Sequence, residues 1–262
     1  MTATDLKGED LFPIELAPDL LWMGSCLEVP YRGTMLHSYT SSYMVSGSES
    51  SLLIDPGITG DPHMLERQLE TALEGRPPLR WIFLSHQETP HAGGVGRMLD
   101  MYPEVTAIGD VRDYHLFFPE HADRFRSMAE GESVDLGDNE FTVVEAVIRD
   151  LITTRWGFAS RQAALFASDG FAYAHHHRAG QCGKVAEEVP ELDIIELAGV
   201  FYQYALPWVR LTDMEPYAER LIALIESLGA DIVAPVHGLP VTDVRNNLPK
   251  TCEGLRQAMN VA

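Results

Sequence analysis

Two imidazoles and a carboxylate fall within six residues in the stretch Leu84-Ser85-His86-Gln87-Glu88-Thr89-Pro90-His91-Ala92-Gly93-Gly94. The apolar run Leu79 to Leu84 leads directly into it. Groups of this kind are costly to desolvate together unless a cation sits between them. Imidazole and carboxylate are also common ligands of transition metals. A metal nest at the end of a buried strand is the chemistry these residues offer, and a metal there would activate water or polarise a bound molecule.

Further donors lie at a distance. Asp150 follows Val147-Ile148-Arg149, Asp169 sits in Leu165-Phe166-Ala167-Ser168-Asp169-Gly170-Phe171, and His237 closes Ile232 to Val236. Asp55 ends the run Leu52-Leu53-Ile54. Singly, each strand-end Asp reads as a turn or cap residue. Together they lie where open sheets collect functional groups, at the carboxyl ends of strands. The run His175-His176-His177 is a further source of imidazole. Its simplest reading is a polar loop. Its functional reading places His176, with Asp150, as a proton acceptor or replacement ligand. Arg149, Arg155 and Trp156 are candidates to line the same mouth.

The elements that must position these groups are short. Leu20–Met23, Ser42–Val45 and Ser51–Asp55 read as strands, the last two as a hairpin around Gly47. Asp61-Pro62 opens a helix whose apolar face is Leu65, Leu69, Ala72 and Leu73, and Gly75 with Pro77-Pro78 stops it. A strand over 80–85 precedes the metal-like loop, and a helix runs from about His91 to Met101. Strands follow at 105–108, 141–148 and 163–167, with a turn at Trp156-Gly157-Phe158. Helices at 192–204 and 215–228, then a strand at 231–236, complete the order. No linker divides the chain, which predicts one domain over 1–262 with helices outside sheets.

Composition narrows the partners. Thirty-nine acidic against 19 basic residues give a net charge of −20, which leaves no basic footprint for nucleic acid or an anionic membrane surface. No window approaches eighteen apolar residues, and Met1 to Asp10 has no signal-peptide core, so a cytoplasmic protein is expected. Cys26, Cys182 and Cys252 are odd in number and far apart. They imply neither a disulfide framework nor a thiolate metal site, and a reducing compartment.

Taken in order, these segments resemble the metallo-β-lactamase superfamily, and within it the metal domain of flavodiiron proteins. His86, Glu88 and His91 stand at the first, second and last ligand places of that superfamily's loop, and Ala92-Gly93-Gly94 continues the match. A Glu in the second place marks the flavodiiron branch. Ser168-Asp169-Gly170-Phe171 resembles its bridging Asp with the following aromatic, and Ala234-Pro235-Val236-His237-Gly238 its last histidine. Phe201 to Trp208 is similar to the helix before its final strand, and Leu53-Ile54-Asp55-Pro56-Gly57 to an early Asp behind the ligands.

The resemblance implies an α/β fold, an αββα sandwich of two central mixed sheets with helices outside. It also implies one or two metal ions held by His86, Glu88, His91, Asp150, Asp169 and His237. Oxygen-rich sets with imidazole favour iron, with zinc also compatible. Two positions depart from the family. Pro90 replaces an Asp ligand, and Asp150 stands where the family has a histidine, which thins the second metal position.

Flavodiiron proteins usually carry a flavodoxin-like domain after the metal domain. Here the chain ends at Ala262 without a Gly-rich phosphate loop, so no flavin is expected on this chain. On that basis the leading expectation is a metal-dependent hydrolase of a small organic substrate, with Asp150 or His176 handling the proton. The alternatives are a diiron protein that binds or reduces oxygen or nitric oxide with an external electron donor, and a non-catalytic subunit of a hetero-oligomer. A homo- or hetero-oligomer is expected in each case.

Overall fold

The computed structural model describes residues 11–57, 61, 63–176, 182–189 and 192–258. Two sheets pack face to face. The first runs in the order β1 (Ile14–Ala17), β2 (Leu20–Tyr31), β3 (Thr34–Ser46), β4 (Ser51–Ile54), β5 (Leu79–Leu84), β6 (Thr106–Gly109), β7 (Phe125–Ser127). It is antiparallel from β1 to β4 and parallel from β4 to β7. The second runs β12 (Ile232–Ala234), β11 (Ala164–Phe166), β10 (Trp156–Ala159), β9 (Glu140–Val144), β8 (Ser133–Asp135). Only its β11–β12 pair is parallel.

Alternation along the strands divides the apolar residues between two layers. On β2, Leu20 and Trp22 point between the sheets with Phe83, Phe141, Trp156 and Phe166. Leu21 and Met23 point the other way, onto Leu65 and Leu69 of α1 (Met64–Leu73) and Val95, Met98 and Leu99 of α3 (Val95–Met101). On the opposite side, α4 (Ile194–Ala205), α5 (Glu215–Leu228) and α6 (Val244–Ala258) contribute Tyr202, Leu221 and Leu255 to the core shared with the second sheet. The mixed-sheet sandwich with outer helices is therefore the fold. Among the described residues, no helix is long and apolar enough to cross a membrane.

Among the departures of local structure from the sequence reading, three bear on the site and its scaffold. Trp156-Gly157-Phe158 is not a turn but part of β10. Gly157 is there for space: a Cβ on it would lie 2.0 Å from Cζ of Phe141 on the neighbouring strand. The helix expected from His91 breaks at Gly93-Gly94 into α2 (Thr89–Ala92) and α3, because the Gly94 N–H leaves the helix to donate to Pro56 O at 2.7 Å. The strands at Leu20 and Ser42 prove to be the buried halves of a long hairpin, whose outer half at Glu28–Val29–Pro30 and Arg32–Met35 is exposed.

The sandwich brings the carboxyl ends of β4 and β5 against those of β11 and β12. Tyr43 Oη, from β3, donates across the interface to Pro235 O at 2.7 Å. Ser85 Oγ, just past β5, donates to Ser168 Oγ, just past β11, at 2.9 Å.

Candidate metal centre

Backbone geometry at the strand ends fixes where the donors point. Asp55 and Ser168 both take left-handed conformations, with φ of 49°, which few non-glycine residues adopt and which turns the chain sharply. Asp55 Oδ1 then accepts the Ser85 N–H at 2.7 Å, pinning the start of the His86 loop. Glu88 stands at the N-terminal boundary of α2, and Pro90 occupies its first turn, where a missing N–H costs nothing. That turn carries His91 back into the interior.

Three histidines are each tied at one ring nitrogen and open at the other. His86 Nδ1 lies 3.0 Å from Ser168 Oγ, and His91 Nδ1 lies 3.0 Å from Ser85 Oγ and 3.4 Å from Asp55 Oδ2. His237 Nδ1 donates to Tyr39 O at 2.5 Å. A carbonyl only accepts, so His237 carries its proton on Nδ1 and keeps a lone pair on Nε2. All three Nε2 atoms face Asp169: His86 at 3.8 Å from Oδ2, His91 at 3.5 Å and His237 at 3.8 Å from Oδ1.

Buried polar atoms without partners are rare and call for an explanation. His86 Nε2, His91 Nε2 and Asp169 Oδ1 are three such atoms, converging on one point. A cation would satisfy all three. A second group, His86, Glu88 and Asp150, also has its ligand atoms within 4.8 Å of one another. The two groups adjoin at His86, whose Nε2 is its one open ring nitrogen. Asp150 is thus beside His86 and Glu88.

The charge balance of the cluster centres on His91. Burial would push the His91 imidazole down, but Asp169 and then Asp55 outweigh it and raise it to about 10. Burial and the charge on His91 push His86 down to about 3. Burial likewise lowers His237. Asp169 is held well below the ordinary carboxylate range: burial opposes this, but His91 and the other histidines prevail. Asp150 goes the other way, to about 6, through burial and then the charges of Asp169 and Glu88. A metal ion would take the place of the His91 proton, and its positive charge would relieve the carboxylate repulsion.

Not every expected residue joins this cluster. Glu88 is exposed, although grouped with His86 and Asp150. His176, the expected acid/base, is exposed with its Nδ1 on Met35 O at 3.1 Å. The cause is the two-way backbone bridge between His37 and His175, at 2.6 and 2.7 Å. It turns the buried His175 inward, where its ring stacks on Tyr39 at 5.8 Å, and its neighbour outward. His177 lies outside the described residues. Arg155 is held by Asp110 at 2.9 Å, and Trp156 is buried in the core.

The anchors Ser85, Ser168 and Tyr39 O are absent from the sequence reading. Hydroxyls after strands are too common to stand out, and a backbone carbonyl leaves no mark on a sequence. Replacing Ser168 by alanine removes the partner of His86 Nδ1. It is expected to weaken ferrous-iron affinity by about 10- to 100-fold, as read by competition against a chromophoric chelator, with little change in far-UV circular dichroism.

Residues 37–195, more than half of the chain, match the metallo-beta-lactamase superfamily. The chain belongs to that superfamily. Several of the solved structures that share its fold are flavodiiron proteins. Rubredoxin:oxygen oxidoreductase from Desulfovibrio gigas superposes with a TM-score of 0.75 at 14% identity, covering 94% of this chain and 61% of that one. The flavodiiron protein from Giardia intestinalis gives 0.73 at 11% identity, covering 92% and 58%. In sequence, the coenzyme F420H2 oxidase of Methanothermobacter thermautotrophicus is 26% identical over 241 residues, 86% of this chain and 56% of its own length. The chain therefore spans about half the length of the curated relatives it matches.

These matches correct the expectation of a hydrolase, since the curated relatives are oxidases. The expectation rested on the missing flavin domain and on a second metal position thinned by Pro90 and Asp150, while Glu88 pointed toward redox chemistry.

Proposed function

We propose that this chain is the diiron core of an oxidoreductase that passes electrons from an external donor to dioxygen. The observation that carries the reading is the pair of adjoining donor groups, His86–His91–Asp169 and His86–Glu88–Asp150, with three buried valences open toward one another. The names of the relatives support it: one is an oxidase of a reduced cofactor, another takes electrons from rubredoxin to oxygen.

Each residue has a distinct task in this reading. With metal bound, His91 would give up its proton, and His86, His91 and His237 would offer Nε2 as ligands, their rings kept in place by Ser168, by Ser85 with Asp55, and by the Tyr39 carbonyl. Asp169, which faces all three Nε2 atoms, would supply carboxylate oxygen to the metal beside them. Two irons held there would supply the one-electron steps that protein side chains do not provide. Reduction of dioxygen to water takes up a proton for every electron. Asp150 also lines an open cleft of about 370 Å³ with Arg149, Leu151 and Trp208, which gives its carboxylate contact with solvent protons. His86, His91 and Asp169 are buried, and bulk water is kept from the reacting side.

Anaerobic loading with ferrous iron tests the proposal. The expected result is two irons per chain and rapid oxygen uptake when the loaded, reduced protein meets air-saturated buffer, followed on an oxygen electrode. One tightly held zinc per chain, no iron uptake and no oxygen consumption would overturn it.

A further inference from the structure

Cys26 and Cys182 are separated by most of the chain, yet the fold brings them together. Cys26 lies on β2 beside Cys182, and that neighbour, then burial, pushes its thiol well above the ordinary range. His37, on the adjacent strand β3, places Nδ1 3.5 Å from Cys26 Sγ. The cross-strand partner of Cys26 is Tyr39, whose hydroxyl accepts the Gly183 N–H at 3.0 Å and so fixes the backbone beside Cys182. Both cysteines are half-buried, within reach of a small reagent. Cys252 is buried elsewhere, against Ala218.

We propose that Cys26 and Cys182 form a reversible disulfide, a modification site separate from the metal donors and independent of the reaction proposed above. The chemistry balances with a low-molecular-weight disulfide as oxidant. The Cys182 thiolate attacks one sulfur of the reagent and expels the first small thiol. Cys26 passes its proton to His37 Nδ1 and attacks the sulfur of Cys182, expelling the second. Two protein thiols become one S–S bond, and one small disulfide becomes two thiols. The imidazole supplies what an apolar pair lacks, a base beside the resolving thiol.

The location gives the bond a consequence. The chain shortly after Cys182 is fastened by Ala186 N–H to Pro240 O at 2.9 Å and by Glu187 to Thr242 and Asp243. Tyr39, between the two cysteines, holds His237 through its carbonyl. A bridge would therefore clamp this segment to the β2–β3 hairpin on the side of His237. Leu27, Leu36, Ser38, Ala174, Phe201 and His237 line an apolar cavity of about 510 Å³ there.

The test uses the full chain with oxidised glutathione as the probe. Thiol titration should fall from three per chain to one, the mass should drop by two hydrogens, and a non-reducing digest should contain the Cys26–Cys182 peptide pair. Dithiothreitol should restore all three thiols. The melting temperature of the oxidised chain should rise by about 5 °C or more, because the bridge closes a very long loop. C26S and C182S should each abolish the two-hydrogen loss while keeping a wild-type melting temperature in the reduced state, and C252A should leave the bridge intact. Three thiols that survive oxidation, a glutathione adduct that never resolves, or a bridge that includes Cys252 would each overturn the proposal. So would zinc held by the pair and retained in D169N.

Discussion

Replacing Asp169 by asparagine is expected to abolish metal binding and oxygen uptake and to destabilise the metal-free protein as well. Asp169 is the acceptor that all three Nε2 atoms face, at 3.5 to 3.8 Å. Asparagine keeps the volume and removes the charge. Loss of iron affinity should exceed the ~100-fold that removal of an outer partner costs, and iron content after desalting should fall to background. The effect on the apo protein has a separate cause. His91 is raised to about 10 by Asp169 and Asp55, so at neutral pH it carries a buried charge. Without its main partner that charge costs about 3–5 kcal/mol, or His91 gives up the proton. Urea denaturation of chelator-treated D169N and wild type reads this term alone. Equal midpoints would show that the apo cluster is not held by an ion pair.

The second large effect is expected from Gly57→Ala, a residue that supplies no ligand. A Cβ there would lie 1.7 Å from Pro90 O and 2.5 Å from its carbonyl carbon. These are backbone atoms of the helix turn that carries His91, and they cannot rotate away as a side chain would. The substitution must push the 88–92 segment outward or move β4. An overpacking cost of about 3 kcal/mol is expected, together with loss of iron stoichiometry at the His91 side. Gly75→Ala is the control: its added Cβ meets nothing within 4 Å, so its effect comes from its φ of +71° alone. A G57A protein with wild-type stability and two irons would show that the loop and β4 are not in obligatory contact. The same contact gives Pro90 a role: where the family has a ligand, this chain has a residue that shapes the turn and packs on Gly57.

Much of this site was legible because its donors sit where strands stop. His86, Glu88 and His91 announce themselves by crowding. Asp169 and His237 follow apolar runs, and the ordered set points to the superfamily and the sandwich. Other features left no trace for physical reasons. Ser85 and Ser168 act through hydroxyls that hundreds of loops share, and the anchor of His237 is a main-chain oxygen. The pairing of Cys26 with Cys182 depends on a hairpin whose outer half has no apolar pattern, so sequence distance argued against it. Trp156-Gly157-Phe158 looked like a turn because a glycine that makes room for Phe141 cannot be told from one that bends the chain. His176 lost its place to the alternation imposed by His175 pairing with His37. The reaction is not legible for a different reason: ligands define which ion fits, whereas the source of electrons lies outside them.

The parallel pairing of β11 with β12 also has a kinetic consequence. His237 follows the last strand of the chain, and the Val236 N–H docks on Ser168 O at 3.0 Å only when that strand is in place. Long-range pairings of this kind form late and slowly. A nascent chain presenting His86 to His91 has loose donors but no enclosure, so under the proposed function tight capture of iron would have to wait for the segment that carries His237 to fold. The ion then acts as a lock on the finished structure: by binding the native state alone, it adds stability in proportion to the logarithm of its concentration over its dissociation constant. Refolding followed by intrinsic fluorescence should accordingly proceed at the same rate with or without ferrous iron, while unfolding should slow as iron is added.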